Sequence, residues 1–364
     1  MKRISLLTLM ICACLVSAAW PQTPTKHKIT TFNAPGAGTG YGQGTFGAGV
    51  INDGALEGYY VDSADVEHGY VRASDGKITT FDPTGSQGTV PAGMNNELAI
   101  TGYYVDTNGV YHGFLRAPDG KITSFDVSGA GRGVGQGTFP EVINDRGTIA
   151  GQYLDSNNVF HGFVSGKRGG TFDAPGAGRG SHQGTLVAGF DGLNDAGTIA
   201  GAYIDSNGVW HGFMRSAAGK ISEFSVKGGG SGVGQGTNVA GINANGEIPG
   251  YYADSNGAVH GFVRAANGTI TKFNISRAGT GSGQGTLPEN INSSGEIAGY
   301  YVDSSGAARG FVRAANGGIN TFSVSGAGTG SGQGTFADSN NAPGAVGGDY
   351  VDSSGVAHGF VRSQ

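Results

Sequence analysis

The sequence predicts an all-β chain: a seven-bladed β-propeller of four-stranded antiparallel blades, closed by the N-terminal strand completing the last blade. Three observations carry this. A Tyr-x-Asp turn followed by His-Gly-Phe or a near variant recurs seven times, at intervals of 44 to 50 residues. A period of that length marks an array of one supersecondary unit. Within each unit, short apolar runs alternate with Gly-, Asp- and Asn-rich turns, the pattern of a meander rather than of helices. The two ends of the array, finally, are offset by one strand.

The fourth copy shows the unit. A first strand opens at Gln183-Gly184-Thr185 and is expected to reach Leu193-Asn194, where Asp195-Ala196-Gly197 turns the chain. The second, over 198–204, places Ile199, Gly201 and Tyr203 on one face. That Tyr occurs in every copy (Tyr60, Tyr104, Tyr153, Tyr203, Tyr252, Tyr301, Tyr350). The intervening position varies: Tyr59, Tyr103, Gln152, Ala202, Tyr251, Tyr300, Asp349. One demanding face and one tolerant face are therefore expected. Asp205-Ser206-Asn207-Gly208 has the Asp-first, Gly-fourth order of a type I turn. A third strand over 209–215 carries His211-Gly212-Phe213, expected to face the next unit, and 220–224 makes the fourth.

Lys28-Ile29-Thr30-Thr31-Phe32 matches a fourth strand, whereas the chain ends on Gly359-Phe360-Val361-Arg362, a third strand with nothing after it. Pairing the two would close a ring and hide both edges. An open β-solenoid, whose ends need polar caps, is the competing reading. The run Asn-Asp-x-Gly-x-Ile-x-Gly-x-Tyr, then Asp-Ser-x-Gly, then His-Gly-Phe resembles the HAF family of bacterial extracellular repeats, named for a His-Ala-Phe tripeptide. The resemblance covers the whole mature chain, with His68-Gly69-Tyr70 and Arg309-Gly310-Phe311 as departures. It implies an exported protein with a propeller-like fold, and no particular activity.

Residues 1–19 read as a signal peptide: Lys2 and Arg3, an apolar run from Ile4 to Val16, then Ser17-Ala18-Ala19. Ile11-Cys12-Ala13-Cys14 offers a lipoprotein reading as the alternative. Residues 20–27 read as a short linker and 28–364 as a single domain. Both cysteines lie in the leader, so no disulfide or cysteine metal site is expected. The apolar run is too short to span a bilayer. The formal net charge is −5, and loss of Lys2 and Arg3 makes the mature chain more acidic. That disfavours a nucleic-acid partner. The protein is expected to be secreted or periplasmic, and monomeric.

A residue present in every unit is most simply explained by folding. The turn aspartates are therefore expected to cap their turns, with calcium ligation as the competing reading. His68, His112, His161, His211, His260 and His358 are expected to make structural hydrogen bonds. No metal or cofactor is expected. Function is sought where the units differ, on the face carrying the Gly-rich loops, which are expected to be long and flexible. There Tyr41, Arg132, Arg179, His182, Lys227 and Arg277 are the candidate ligand-binding residues. They suit a polar or acidic extracellular glycan, or another protein. The reading is a non-catalytic binding or scaffold module. The alternative is a polysaccharide lyase or glycoside hydrolase at the channel mouth, with Glu141 and Glu289 as acid and base.

Overall fold

The computed structural model describes residues 27–166 and 169–364. The leader read over 1–19, and all but the last residue of the linker, lie outside these. Among the described residues every regular element is a strand, 28 in all, from Ile29–Phe32 to Ala357–Arg362. No helix among them is long and apolar enough to cross a membrane.

Each sequence repeat makes one antiparallel meander. In the first unit the strands are Gly44–Val50, Leu56–Val61, Glu67–Arg72 and Ile78–Phe81, paired in that order. Alongside Ala357–Arg362, the third strand of the last meander, lies Ile29–Phe32, with Thr31 opposite Phe360. Adjacent units meet through a parallel bridge, as between Gly44 and Ala357 or Gly137 and Tyr111. That approach requires glycine: Gly44 has φ +118°, and a Cβ there would lie 2.1 Å from the Ala357 carbonyl oxygen.

The core lies between units. The fourth-strand Phe of one unit meets the third-strand Phe of the next edge-on, as Phe172 meets Phe213 with centroids 6.0 Å apart. The series ends with Phe322 on Phe360 and Phe32 on Tyr70, also at 6.0 Å. An arginine ending the third strand stacks on the same aromatic face, as Arg215 does on Phe172 at 4.9 Å. The Phe of His-Gly-Phe therefore faces the preceding unit rather than the next. Its other side is already covered: Phe224 of the same unit lies across Gly212, where a Cβ would be 2.5 Å from the ring.

The first strand of the fourth unit is a second correction. It spans Gly184–Val187 and does not reach Leu193. The stretch from Thr185 to Tyr203 is three residues longer than its counterpart from Thr237 to Tyr252. The first strand of the fifth unit is as short, Gly236–Val239, and beyond the two strands Asp191 bridges to Gly241 of that unit.

At the turn-side end, asparagine side chains link successive units. Asn95 donates through Nδ2 to the Asn144 carbonyl at 3.0 Å, Asn144 to Asn194 at 3.1 Å, and so on to Asn341, which reaches the Ile51 carbonyl at 2.8 Å. A cavity of about 250 Å³ is lined at this end by the first strands or their turns in every repeat, among them Val50, Met94, Ile143, Leu193, Ile242, Ile291 and Asn340.

Candidate functional site

The repeated polar residues are spent on the fold. Asp62 Oδ1 accepts the N–H groups of Ala64 at 2.8 Å and Val66 at 3.0 Å, capping the turn. These bonds hold its carboxyl below the usual carboxylate range. Asp205 caps Asn207 and Val209 in the same way. His211 lies flat on Tyr203 at 4.9 Å, with Nδ1 on Ser225 Oγ at 2.8 Å and Nε2 facing Asp205 Oδ2 at 3.3 Å. His68 similarly joins Asp62 to Asp82. The Tyr, Asp and His of the signature thus form one clasp inside six of the seven hairpins, and Arg309 takes the place of the histidine in the sixth.

The Gly-rich loops, expected to be flexible, are tied down. Gly38 N–H donates to the Val61 carbonyl at 2.8 Å, Gly40 N–H to Gln43 Oε1 at 2.9 Å, and Gly42 N–H to Gly355 of the neighbouring unit at 2.9 Å. The loop at Gly131, Gly133 and Gly135 repeats the arrangement with Gln136. Backbone N–H groups so engaged are not available to cradle an anion. The signal was legible as the Gln before the first-strand Gly, whose side chain reaches back three residues in every unit but the second.

Among the six candidate residues, Arg277 lines a cavity of about 540 Å³ with Tyr301, Asp303, Arg309, Thr321 and Ser323. The other five line neither that cavity nor the two others. Tyr41 is 87% exposed and rests on Gly355. His182 is exposed, at φ 60°, with Nδ1 on Ser181 Oγ at 2.9 Å. Arg132, Arg179 and Lys227 are exposed, and the Lys227 carbonyl accepts from the Lys272 ammonium. No hydrogen bond or ion pair joins any two of the six.

The convergence of chemical groups lies where units six, seven and one adjoin. Phe46, Glu289, Tyr300, Phe336, Asp338, Asp349 and Val351 line a chamber of about 300 Å³. Phe336 and Asp349 are cross-strand partners, and Phe46 stacks on Tyr59 at 4.9 Å. Asp349 is buried, while Glu289 and Asp338 are half-buried. Burial pushes Glu289 up to about 8. Burial likewise raises Asp349 to about 8, against the N–H of Gly47. Asp338 is pushed well above the carboxylate range by burial and then by the charges of Asp349 and Glu289, and its Oδ2 has no hydrogen-bond partner. Three carboxyls beside aromatic faces, one buried and two half-buried, are thus held toward the neutral acid, able both to donate and to accept.

Two further carboxyls stand nearby in the sequence pattern. Glu57 is fully buried in the first unit and raised to about 8. Glu141 receives Gln152 Nε2 at 2.6 Å and is raised to about 7 by burial. On the turn side, Asp191 of the extra stretch accepts from Asn290 Nδ2, two units away, and is raised to about 6 by burial. Sequence reasoning found Glu141 and Glu289 but missed Asp338, Asp349 and Glu57. All three are off-pattern: Asp349 stands at the position read as tolerant, where other units carry Tyr, Gln or Ala.

No protein-family model matches the chain, and no curated protein sequence matches it. Among solved structures, virginiamycin B lyase from Staphylococcus aureus superposes with a TM-score of 0.57 at 13% identity, covering 93% of this chain and 100% of that one. A streptogramin B lyase gives 0.52 at 13% identity, covering 93% and 98%. The BP39L lectin from Burkholderia pseudomallei gives 0.49 at 10% identity, covering 85% and 95%. At these identities the likeness to the two lyases shows the fold alone, a β-propeller.

Proposed function

We propose that this chain is an exported, HAF-type repeat protein that folds as a closed seven-bladed propeller and works as a saccharide-binding module. The closure reading is supported by the pairing of Ile29–Phe32 with Ala357–Arg362, by the Phe32–Tyr70 contact and by the Asn341–Ile51 bond. The observation that carries the binding reading is the chamber of Glu289, Asp338 and Asp349 beside Phe46, Tyr300 and Phe336. Its volume falls at the small end of small-molecule sites, about 300–1,000 Å³. Aromatic faces suit the C–H surface of a sugar, and neutral carboxyls suit its hydroxyls.

A glycan array on residues 20–364, with and without a chelator, supplies the ligand. Asp338→Ala and Asp349→Tyr install the residues that other units carry at these places, so the fold should tolerate them. Array hits lost in both variants at unchanged melting temperature support the reading; hits that survive both sink it. Loss of binding on chelation would instead assign calcium to the turn aspartates. One observation favours catalysis as the second reading. Glu289, raised to about 8, keeps a proton at neutral pH that a departing glycosidic oxygen would accept. Release of shortened products from an array hit, abolished by Glu289→Gln, would establish it.

A further inference from the structure

We propose that the outer pocket of the sixth unit is a separate site for an oxyanion, the carboxylate or sulfate group of an acidic saccharide. Three positions around the clasp set this unit apart from its neighbours in the array. In units one, two and three the clasp histidine stands between two aspartates: His68 between Asp62 and Asp82, His112 between Asp106 and Asp126, His161 between Asp155 and Asp173. In unit six Arg309 replaces the histidine and Ser323 replaces the second aspartate. Arg277 stands where the loops of units one, three and seven have Gly36, Gly129 and Gly326. Relative to units one, two and three, the local charge therefore turns from negative to positive in unit six.

The space is present as well as the charge. In unit five Lys272 lies over Tyr252 at 4.7 Å and its ammonium meets the Lys227 carbonyl. In unit four Glu223 occupies the same place and accepts the Gly176 N–H at 2.7 Å. Unit six has Thr321 there, and a cavity of about 540 Å³ remains. The guanidinium of Arg309 spends Nε–H on Asp303 Oδ2 and one Nη1–H on Ser323 Oγ, both at 3.4 Å. Among the described residues its other donors have no partner, and Arg277 has no hydrogen-bond or ion-pair partner. Asp303 is itself occupied: its Oδ1 accepts the turn N–H groups of Ser305 and Ala307. Two guanidinium groups with unspent planar donors match a carboxylate or sulfate.

The test uses the full chain with its leader processed. Titration calorimetry with sodium glucuronate, glucose 6-sulfate and glucose, at fixed ionic strength, reads the site directly. Arg309→His and Arg277→Gly install the residues of other units and should leave the melting temperature unchanged. Binding of at least one anionic sugar, weakened tenfold or more by each variant and by added salt, supports the proposal; which anion wins distinguishes carboxylate from sulfate. Equal affinity for glucose, no binding of either anionic sugar, or undiminished binding in the double variant overturns it. Asp349→Tyr separates the two sites: it should leave anion binding intact, and loss of anion binding there would place the ligand in the chamber and refute this assignment.

Discussion

Glu57 offers a measurable consequence of the acids buried in this fold. Its side chain has no solvent exposure; Oε1 accepts the Gly49 N–H at 3.1 Å and Oε2 has no partner. Burial raises its carboxyl from the ordinary 4.5 to about 8. Between those values the folded protein holds a proton that the unfolded chain has released. Stability from this group is therefore complete below pH 4.5, falls as pH rises, and levels off above about 8. At about 1.4 kcal/mol per pH unit, the loss reaches on the order of 5 kcal/mol. With an unfolding entropy of about 2.1 cal/mol/K per residue, that corresponds to roughly 7 °C in a domain of this size. Glu57→Gln removes the titrating proton and adds only a constant offset of about 1–3 kcal/mol for its unpaired amide. Melting temperatures of both proteins, measured by calorimetry from pH 4.5 to 8.5, should converge or cross toward the variant's advantage as pH rises. A difference that stays constant across this range would refute the assignment of a buried, neutral Glu57.

Two pairs of substitutions and one deletion probe the architecture. Gly44→Ala places a Cβ against the Ala357 carbonyl at φ +118° and should cost more than about 3 kcal/mol in urea unfolding, whereas Gly42→Ala, at φ +80° with open space, should cost about 1 kcal/mol. His211→Ala removes two polar contacts and a stacked face and should cost about 1–2 kcal/mol, while exposed His182→Ala should stay within about 0.5 kcal/mol; the opposite ranking would sink the clasp. Deleting residues 27–33 bares the edge of Ala357–Arg362, so sedimentation should reveal dimers or larger species. A monomer of unchanged melting temperature would argue against closure.

Much of the molecule was legible because its determinants are local. A turn aspartate bonds the N–H groups two and four residues on, a strand alternates every second residue, and Tyr203 meets His211 across one hairpin. Such contacts repeat wherever the sequence repeats, so the strand order, the turn caps and the structural role of the histidines followed from spacing. The loops misled for the opposite reason. Their glycines suggested freedom, yet the chain is bent so that Gln43 can close on Gly40 and Gly42 can reach a neighbouring unit.

The chamber could not be read this way. Phe46 and Asp349 lie about as far apart in sequence as the array allows, and they share a wall because the first and last units pack side by side. The direction of the His-Gly-Phe phenylalanine was equally a matter of packing, decided by which side Phe224 had already filled. Strand, turn and repeat are determined within a few residues and so belong to the sequence. Which off-pattern side chains become neighbours, and whether their charges survive burial, depends on the juxtaposition of whole units, and only the tertiary structure decided it.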